Sequence, residues 1–358
     1  MQSILWDYNP IVLSLSGLAS VGGYFFGSNV NKMIKKPNHQ DIMQYRLVIF
    51  DMDGVLRKED DPIPLAVETF NKLKKSGLPI CIVTNNCRKS SNKMKKELRN
   101  MGFLIDHKIE MISSSGLILF EISNILNKSI QPSNKKKHSK LQPNVKFGVV
   151  SDIDLYIYIK NNINSKFSNS RFYWIKDNII PSDIDHIIVG TIKNDEDIIE
   201  YKNRAARWFI CNPNASIIVS HPDTKKESNT EFSYYSPMDL LPEIEVIGKK
   251  ESENFKYNDI NILGKPYCSK YIQKIKDKYD IVVNQDSQDG QDKSEEKNKS
   301  PILVVGDNID TDIKFADNIG ADKCLVLSGH TTIKDLEQNN NISENVNYLI
   351  PDISYLTF

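Results

Sequence analysis

Two short apolar runs, residues 46–50 (RLVIF) and 301–305 (PILVV), each break off into a cluster of carboxylates. A run of this length makes little more than one helical turn but crosses a sheet when extended. Without polar alternation, such runs read as strands buried on both faces, which means a parallel sheet covered by helices. The first run leads into Asp51-Met52-Asp53-Gly54 and the second into Gly306-Asp307-Asn308-Ile309-Asp310-Thr311-Asp312. Open parallel sheets form their sites at the carboxyl ends of the strands, and this chain puts acid at two of them.

The intervening pattern supports that class. Pro64 opens a helical repeat of Val67, Phe70 and Leu73 that Gly77 stops, and residues 79–83 (PICIV) form another buried strand. Ser91 is expected to cap a helix carrying Met94, Leu98 and Met101 on one face, ended by Gly102. The same grammar returns as a helix over 310–319 and a strand over 323–327. Strand–helix alternation of this kind predicts an α/β protein with a Rossmann-like parallel sheet. Residues 113–262 have a different texture, with strand-like runs at 145–150, 186–189 and 216–219 and helical spacing at Tyr201, Ala205 and Trp208. They read as a second α/β unit inserted into the first. The expected organisation is an apolar segment and basic linker at 1–44, core at 45–112 and 263–358, and the insertion at 113–262. Residues 127–143 read as a loop, and residues 284–300 (NQDSQDGQDKSEEKNKS) as a disordered one with almost nothing to bury.

Forty-six basic and 46 acidic residues balance to zero net charge, which gives the chain no global reason to coat nucleic acid. The five cysteines, at 81, 87, 211, 268 and 324, form no C-x-x-C pair. They read as reduced thiols of a cytosol-like compartment, without a disulfide framework or zinc site. Residues 8–31 carry no charge over 24 positions and are followed by Lys32, Lys35 and Lys36. Three readings stay open: a single membrane anchor with the rest of the chain in the cytosol, a cleaved targeting segment, and a non-spanning extension.

The chemistry follows from residue type. Asp51 and Asp53 lie two positions apart just past a buried strand, and Gly54 lets the chain turn sharply. Carboxylates gathered from two strand ends repel one another and call for a cation, and hard oxygen donors suit Mg²⁺. Thr84-Asn85-Asn86 ends the strand at 79–83 and offers uncharged donors to a phosphate, while Lys265, between Gly264 and Pro266, offers a compact cation. Taken singly, each has an ordinary reading as an acidic turn, a helix-dipole complement, a loop or a surface lysine.

In this order the four elements resemble the haloacid dehalogenase-like hydrolase superfamily, over most of residues 45–355. Asp51-Met52-Asp53-Gly54-Val55 is similar to its first motif, Thr84 to its second, Lys265 to its third, and Gly306-Asp307 through Asp312 to its fourth. Thr84-Asn85-Asn86, Gly264-Lys265-Pro266 and the stretch from Thr311 to Gly329 resemble the subfamily of 4-nitrophenylphosphatases, phosphoglycolate phosphatases and pyridoxal phosphatases. That resemblance implies a large α/β cap at 113–262 and a Mg²⁺-dependent phosphomonoesterase acting on a small metabolite. It implies Asp51 as nucleophile and Asp53 as general acid and base. Thr84, Asn85, Asn86 and Lys265 would bind phosphate. The Asp51 carboxylate, the Asp53 backbone carbonyl and Asp307 would ligate the metal, with Asp312 in support. The alternatives are a phosphomutase, or a catalytically silent member acting in binding or at a membrane. A homodimer and membrane association through residues 8–31 are also compatible with the sequence. The cap departs from the family pattern at Ser220-His221-Pro222-Asp223, where His221 reads as a loop histidine, and at Phe232-Ser233-Tyr234-Tyr235-Ser236-Pro237.

Overall fold

The computed structural model describes residues 33–129, 144–163, 167, 170–177, 181–193, 197–224, 234–281, 300–339 and 341–356. The apolar segment 8–31 and all but Ser300 of the expected loop at 284–300 lie outside these residues. No helix among the described residues is long and apolar enough to cross a membrane.

Along the chain come strands β1 (Leu47–Phe50), β2 (Ile80–Thr84), β3 (Glu110–Ser113), β4 (Lys146–Val150), β5 (Arg171–Trp174), β6 (His186–Val189), β7 (Ser216–Val219), β8 (Ile260–Ile262), β9 (Ile302–Gly306), β10 (Asp322–Val326) and β11 (Tyr348–Ile350). They build two parallel sheets, ordered β11-β10-β9-β1-β2-β3 and β8-β7-β6-β4-β5. All strands of the second sheet lie in sequence between β3 and β9 of the first.

In the first sheet β1 sits between β9 and β2, with Phe50 opposite Val305 on one side and Ile82 on the other. Every residue of β1, β2 and β9 is buried. Their side chains alternate between two apolar layers. Val48 and Phe50 point to the side holding Phe70, Met94 and Leu98, while Leu47 and Ile49 point to the side holding Phe315 and Ile319. The helix Ala66–Lys75 covers the first layer with Phe70 and Leu73, and its Phe70 ring lies 5.7 Å from Phe50. The next helix, Ser91–Asn100, is capped by Ser90, whose side chain accepts from Lys93 N. The expected cap, Ser91, instead shares a hydrogen bond with Ser113. The helix expected over 310–319 begins as a π-helical turn, Ile309–Ile313, before the α-helix Lys314–Ile319.

In the second sheet Trp208, fully buried, anchors the helix Ile198–Cys211 against β4. Gly148 makes room for it, since a Cβ there would stand 2.7 Å from the indole ring. The helix Ser114–Ser129 links the sheets. Its Leu117, Ile118, Ile122 and Leu126 join one apolar cluster that also takes in Leu47 and Ile49 of β1 and Phe147 and Val149 of β4. Burying a side chain of this size contributes about 1.5–3 kcal/mol, so the second sheet is held to the first by substantial apolar packing as well as by loops.

Candidate active site

The strand ends that the sequence singles out converge. Asp51 follows β1 and donates its backbone N–H to Val305 of β9 at 2.9 Å, which sets Asp51 beside the turn that carries Asp307. Gly54 reverses the chain with φ of 91°, and a Cβ on it would overlap Asp307 Oδ2. Gly329 approaches the same carboxylate equally closely, and the backbone N–H of His330 donates to Asp307 Oδ2. These two backbones therefore pin one oxygen of Asp307 where only glycine leaves space.

Asp312 lies on the π-helical turn, which brings its carboxylate back over the end of β9. Its Oδ2 accepts from the backbone N–H of Asp307 at 3.2 Å and Asn308 at 3.1 Å. Gly306 has no room for a side chain against it. Lys265 Nζ donates to Asp51 Oδ1 at 2.5 Å and to Asp312 Oδ1, all three side chains being buried. Asp51, Asp307 and Asp312 each bring one carboxylate oxygen within 4.8 Å of the others. Burial pushes the Asp51 carboxyl well above the usual range; Lys265 pulls it down, and Asp312 and Asp307 push it up again. Burial and the Asp312 charge raise Asp307 to about 7. Burial works against a charged Lys265, but Asp312 and Asp51 outweigh it and raise the lysine. Three buried carboxylates facing one lysine leave an excess of negative charge. An all-oxygen donor set of this kind fits a hard divalent cation such as Mg²⁺.

The other expected site residues divide. Thr84 is buried at the end of β2, and its hydroxyl accepts from Asn86 N at 3.2 Å. Asn86 Oδ1 in turn accepts from Arg88 N at 3.1 Å. The Asn85 side chain is already engaged. It donates to Asp223 Oδ1 at 2.7 Å and to the Lys265 carbonyl at 3.1 Å, and accepts from Lys265 N at 2.7 Å. Asp53 lines the cavity, but its carboxylate lies outside the three-carboxylate group, with Oδ1 held by Arg57 Nε at 2.8 Å.

The cavity over these groups measures about 300 Å³ and takes one wall from the second sheet: Thr191, His221 and Asp223. His221, read as a loop histidine, is buried there, 3.1 Å from Thr191 Oγ1 and 3.3 Å from Asp223. Burial opposes its charge, yet Asp223 and Cys87 raise it to about 10. Burial would raise the Cys87 thiol, but His221 and Thr191 lower it to about 7. Cys87 and Arg88, which the sequence reading passed over, also line the cavity. Their one signal was adjacency to Thr84-Asn85-Asn86.

Two family models match the chain, one for haloacid dehalogenase-like hydrolases over residues 48–131 and one described as HAD-hydrolase-like over residues 263–356. In both stretches the chain is similar to the haloacid dehalogenase-like hydrolases. Both matches cover first-sheet strands and the turns that carry Asp51, Thr84, Lys265 and Asp307. Among curated proteins, the chain is 25% identical to the chloroplastic phosphoglycolate phosphatase 1A of Arabidopsis thaliana over 82% of its own length and 71% of the relative's. Among solved structures, it resembles a p-nitrophenyl phosphatase from Archaeoglobus fulgidus, with TM-score 0.60 and 20% identity over 87% of this chain and 98% of the other. It also resembles a glycerol phosphate phosphatase from Mycobacterium tuberculosis in complex with magnesium, with TM-score 0.57 and 16% identity over 87% of this chain and 76% of the other. The α/β core with its inserted α/β cap is the fold of these haloacid dehalogenase-like structures.

Proposed function

We propose that this phosphatase hydrolyses the monoester of a small phosphorylated metabolite through an aspartyl-phosphate on Asp51, with Mg²⁺ as its metal. The observation that carries the reading is the buried contact of Lys265 with Asp51 and Asp312 beside Asp307, at the strand ends and open to the cavity. The three relatives compared above carry phosphatase names, and one of them binds magnesium.

Asp51 Oδ attacks phosphorus, the P–O bond to the alcohol breaks, and the leaving oxygen takes a proton from Asp53. Arg57 holds Asp53 Oδ1 and leaves Oδ2 for that proton. Water then attacks phosphorus, Asp53 accepts the water's proton, and the P–O bond to Asp51 breaks to release phosphate. Lys265, already against Asp51, and the Thr84 loop stabilise the charge that builds on the transferring group. Asp51 and Asp307 would hold Mg²⁺, with the Asp53 backbone and Asp312 in support, and the ion would offset repulsion between an anionic nucleophile and an anionic substrate.

The test is turnover of 4-nitrophenyl phosphate and a metabolite panel by the full chain with Mg²⁺. Asp51→Asn is expected to fold and to lose at least about 10³-fold in rate, since an amide is not a competent nucleophile. Chelation of the metal is expected to silence the wild type. A near-normal rate from Asp51→Asn in a preparation free of host phosphatases would sink the proposal.

A further inference from the structure

Four of the five cysteines are buried, and one of these differs from the rest. Burial raises the thiols of Cys81, Cys268 and Cys324. Cys87 is buried too, but it lines the cavity and has a basic neighbour. Its Sγ lies 3.2 Å from Thr191 Oγ1, and Thr191 Oγ1 lies 3.1 Å from His221 Nε2. His221 Nδ1 faces Asp223 Oδ2 at 3.3 Å. Burial opposes charge on both groups, yet His221 and Thr191 bring the Cys87 thiol down to about 7, and Asp223 and Cys87 raise His221 to about 10. The phosphatase mechanism proposed above uses neither side chain.

The cluster spans both sheets. Cys87 stands on the loop after β2 of the first sheet, Thr191 just past β6 of the second, and His221 and Asp223 just past β7. It therefore exists only where the second sheet meets the first, and His221 belongs to the segment where the chain departs from the family pattern. An imidazolium offers two N–H donors and no acceptor. With His221 charged, the donors run one way: Nδ1–H toward Asp223, Nε2–H to Thr191, and the Thr191 hydroxyl to the sulfur. That order suits a thiolate, which is the nucleophilic form of cysteine. Cys87 meets the cavity and so is reached by small solutes, whereas a buried thiol with no cationic partner stays inert.

We propose that Cys87 is a covalent modification site, a thiolate supported by Thr191 and His221 that reacts with a small hydroperoxide to give a sulfenic acid. Sγ attacks the terminal oxygen of the peroxide, so that the S–O bond forms as the O–O bond breaks. The sulfur gives up two electrons. The departing oxygen takes them, receives a proton from His221 through the Thr191 hydroxyl, and leaves as water or an alcohol. An added thiol reverses the change: its attack on the sulfenic sulfur yields a mixed disulfide and water, and a second thiol frees Cys87. This chemistry is independent of the phosphatase reading. Its consequence rests on that reading, since the new oxygen stands between the Thr84 loop and the wall formed by the second sheet, narrows the cavity and slows turnover.

The full chain is treated with hydrogen peroxide near neutral pH in the presence of dimedone, which traps sulfenic acids, and each cysteine is followed by peptide mass spectrometry. Cys87 is expected to be trapped at least about 10-fold faster than Cys81, Cys268 and Cys324, as its larger thiolate fraction requires. Cys211, which is exposed, serves as the ordinary thiol. His221→Gln and Thr191→Val are each expected to slow trapping at Cys87 by about 10-fold while leaving Cys211 unchanged. Matching circular dichroism and melting curves establish that the variants are folded. A Cys87 rate that both variants leave unchanged, or trapping confined to Cys211, overturns the proposal. With peroxide alone, the wild type is expected to lose turnover of 4-nitrophenyl phosphate and to regain it in dithiothreitol, while Cys87→Ser keeps the rate it starts with. Trapping needs no turnover, so the two readings fail separately. A Cys87 adduct on a chain without phosphatase activity overturns the phosphatase and keeps the modification site. An active enzyme whose Cys87 stays unmodified overturns the site, and full oxidation with undiminished turnover overturns its effect on substrate.

Discussion

Replacing Lys265 by Met tests whether the three-carboxylate cluster is arranged as an electrostatic unit. Lys265 is 3% exposed, and no other Lys or Arg among the described residues pairs with Asp51 or Asp312. Met fills similar volume without charge, so the substitution removes the cation and leaves two buried carboxylates facing each other and Asp307. Breaking a buried pair in this way costs about 3–5 kcal/mol. For a domain of this size, that is a fall in Tm on the order of 10 °C. The measurement is thermal unfolding in chelator, followed by titration with Mg²⁺. A divalent cation bound only by the folded state restores about 2.7 kcal/mol at 100 times its Kd, so Mg²⁺ is expected to recover much of the lost stability. It is not expected to recover the rate. Removing a positive group aimed at the transferring phosphoryl costs about 10²–10³ in kcat. A Lys265→Met protein that melts within a degree or two of wild type in chelator would refute the reasoning, because the carboxylates would then not need the lysine.

Gly329→Ala should force the Asp307 carboxylate aside, because a Cβ there overlaps Oδ2; the expected result is a loss of about 10–100-fold in Mg²⁺ affinity with little change in fold, read by titrating activity with metal. His221 supplies a pH test, since Asp223 and Cys87 raise its folded value from 6.5 to about 10 against burial. A raised value stabilises the fold fully below pH 6.5 and loses that contribution as pH climbs toward 10. The Cys87 thiol, lowered from 9.0 to about 7, titrates in the opposite sense, so the comparison is made in a Cys87→Ser background. There, His221→Gln is expected to lower stability most below pH 6.5 and progressively less above it, as followed by urea unfolding at fixed temperature.

What could be read from the chain follows burial. The strands legible in the sequence, such as β1, β2 and β9, lie inside their sheets and are uniformly apolar. Four escaped notice: β3 (EMIS), β5 (RFYW) and β8 (INI) lie at sheet edges and are largely half-exposed or exposed, so their residues carry no apolar run, while β11 (YLI), also at an edge, is buried but only three residues long. The helix Ser114–Ser129 escaped for a related reason. It packs into the cluster shared by both sheets, and its sequence has no strongly polar face to mark the period. Within the site, the residues at strand ends were legible because topology alone brings them together. The grouping of carboxylates was less so. The spacing paired Asp53 with Asp51, but the chain bends at Met52 and Asp53 turns to Arg57. Asp312, assigned a supporting part, is the third member of the cluster because a π-helical turn returns it over β9.

The cap contributes more than a roof, and Asn85 shows how. One amide on the phosphate-site loop holds Lys265 by both its backbone N–H and its carbonyl, and reaches across to Asp223 of the cap. Asp223 is kept ionised against its burial by His221 and by that amide. The position of the lysine that touches Asp51 is thus linked, through a single side chain, to the cap loop that forms the far wall of the cavity. In the proposed mechanism a substrate seated against residues 220–223 would therefore also favour the placement of Lys265. Selectivity in such a site is expressed in the chemical step as well as in binding. A fully engaged Asn85 is for that reason more informative than a free donor would have been. In the proposed mechanism Asn85 would act on the phosphoryl group through Lys265 and not by direct contact.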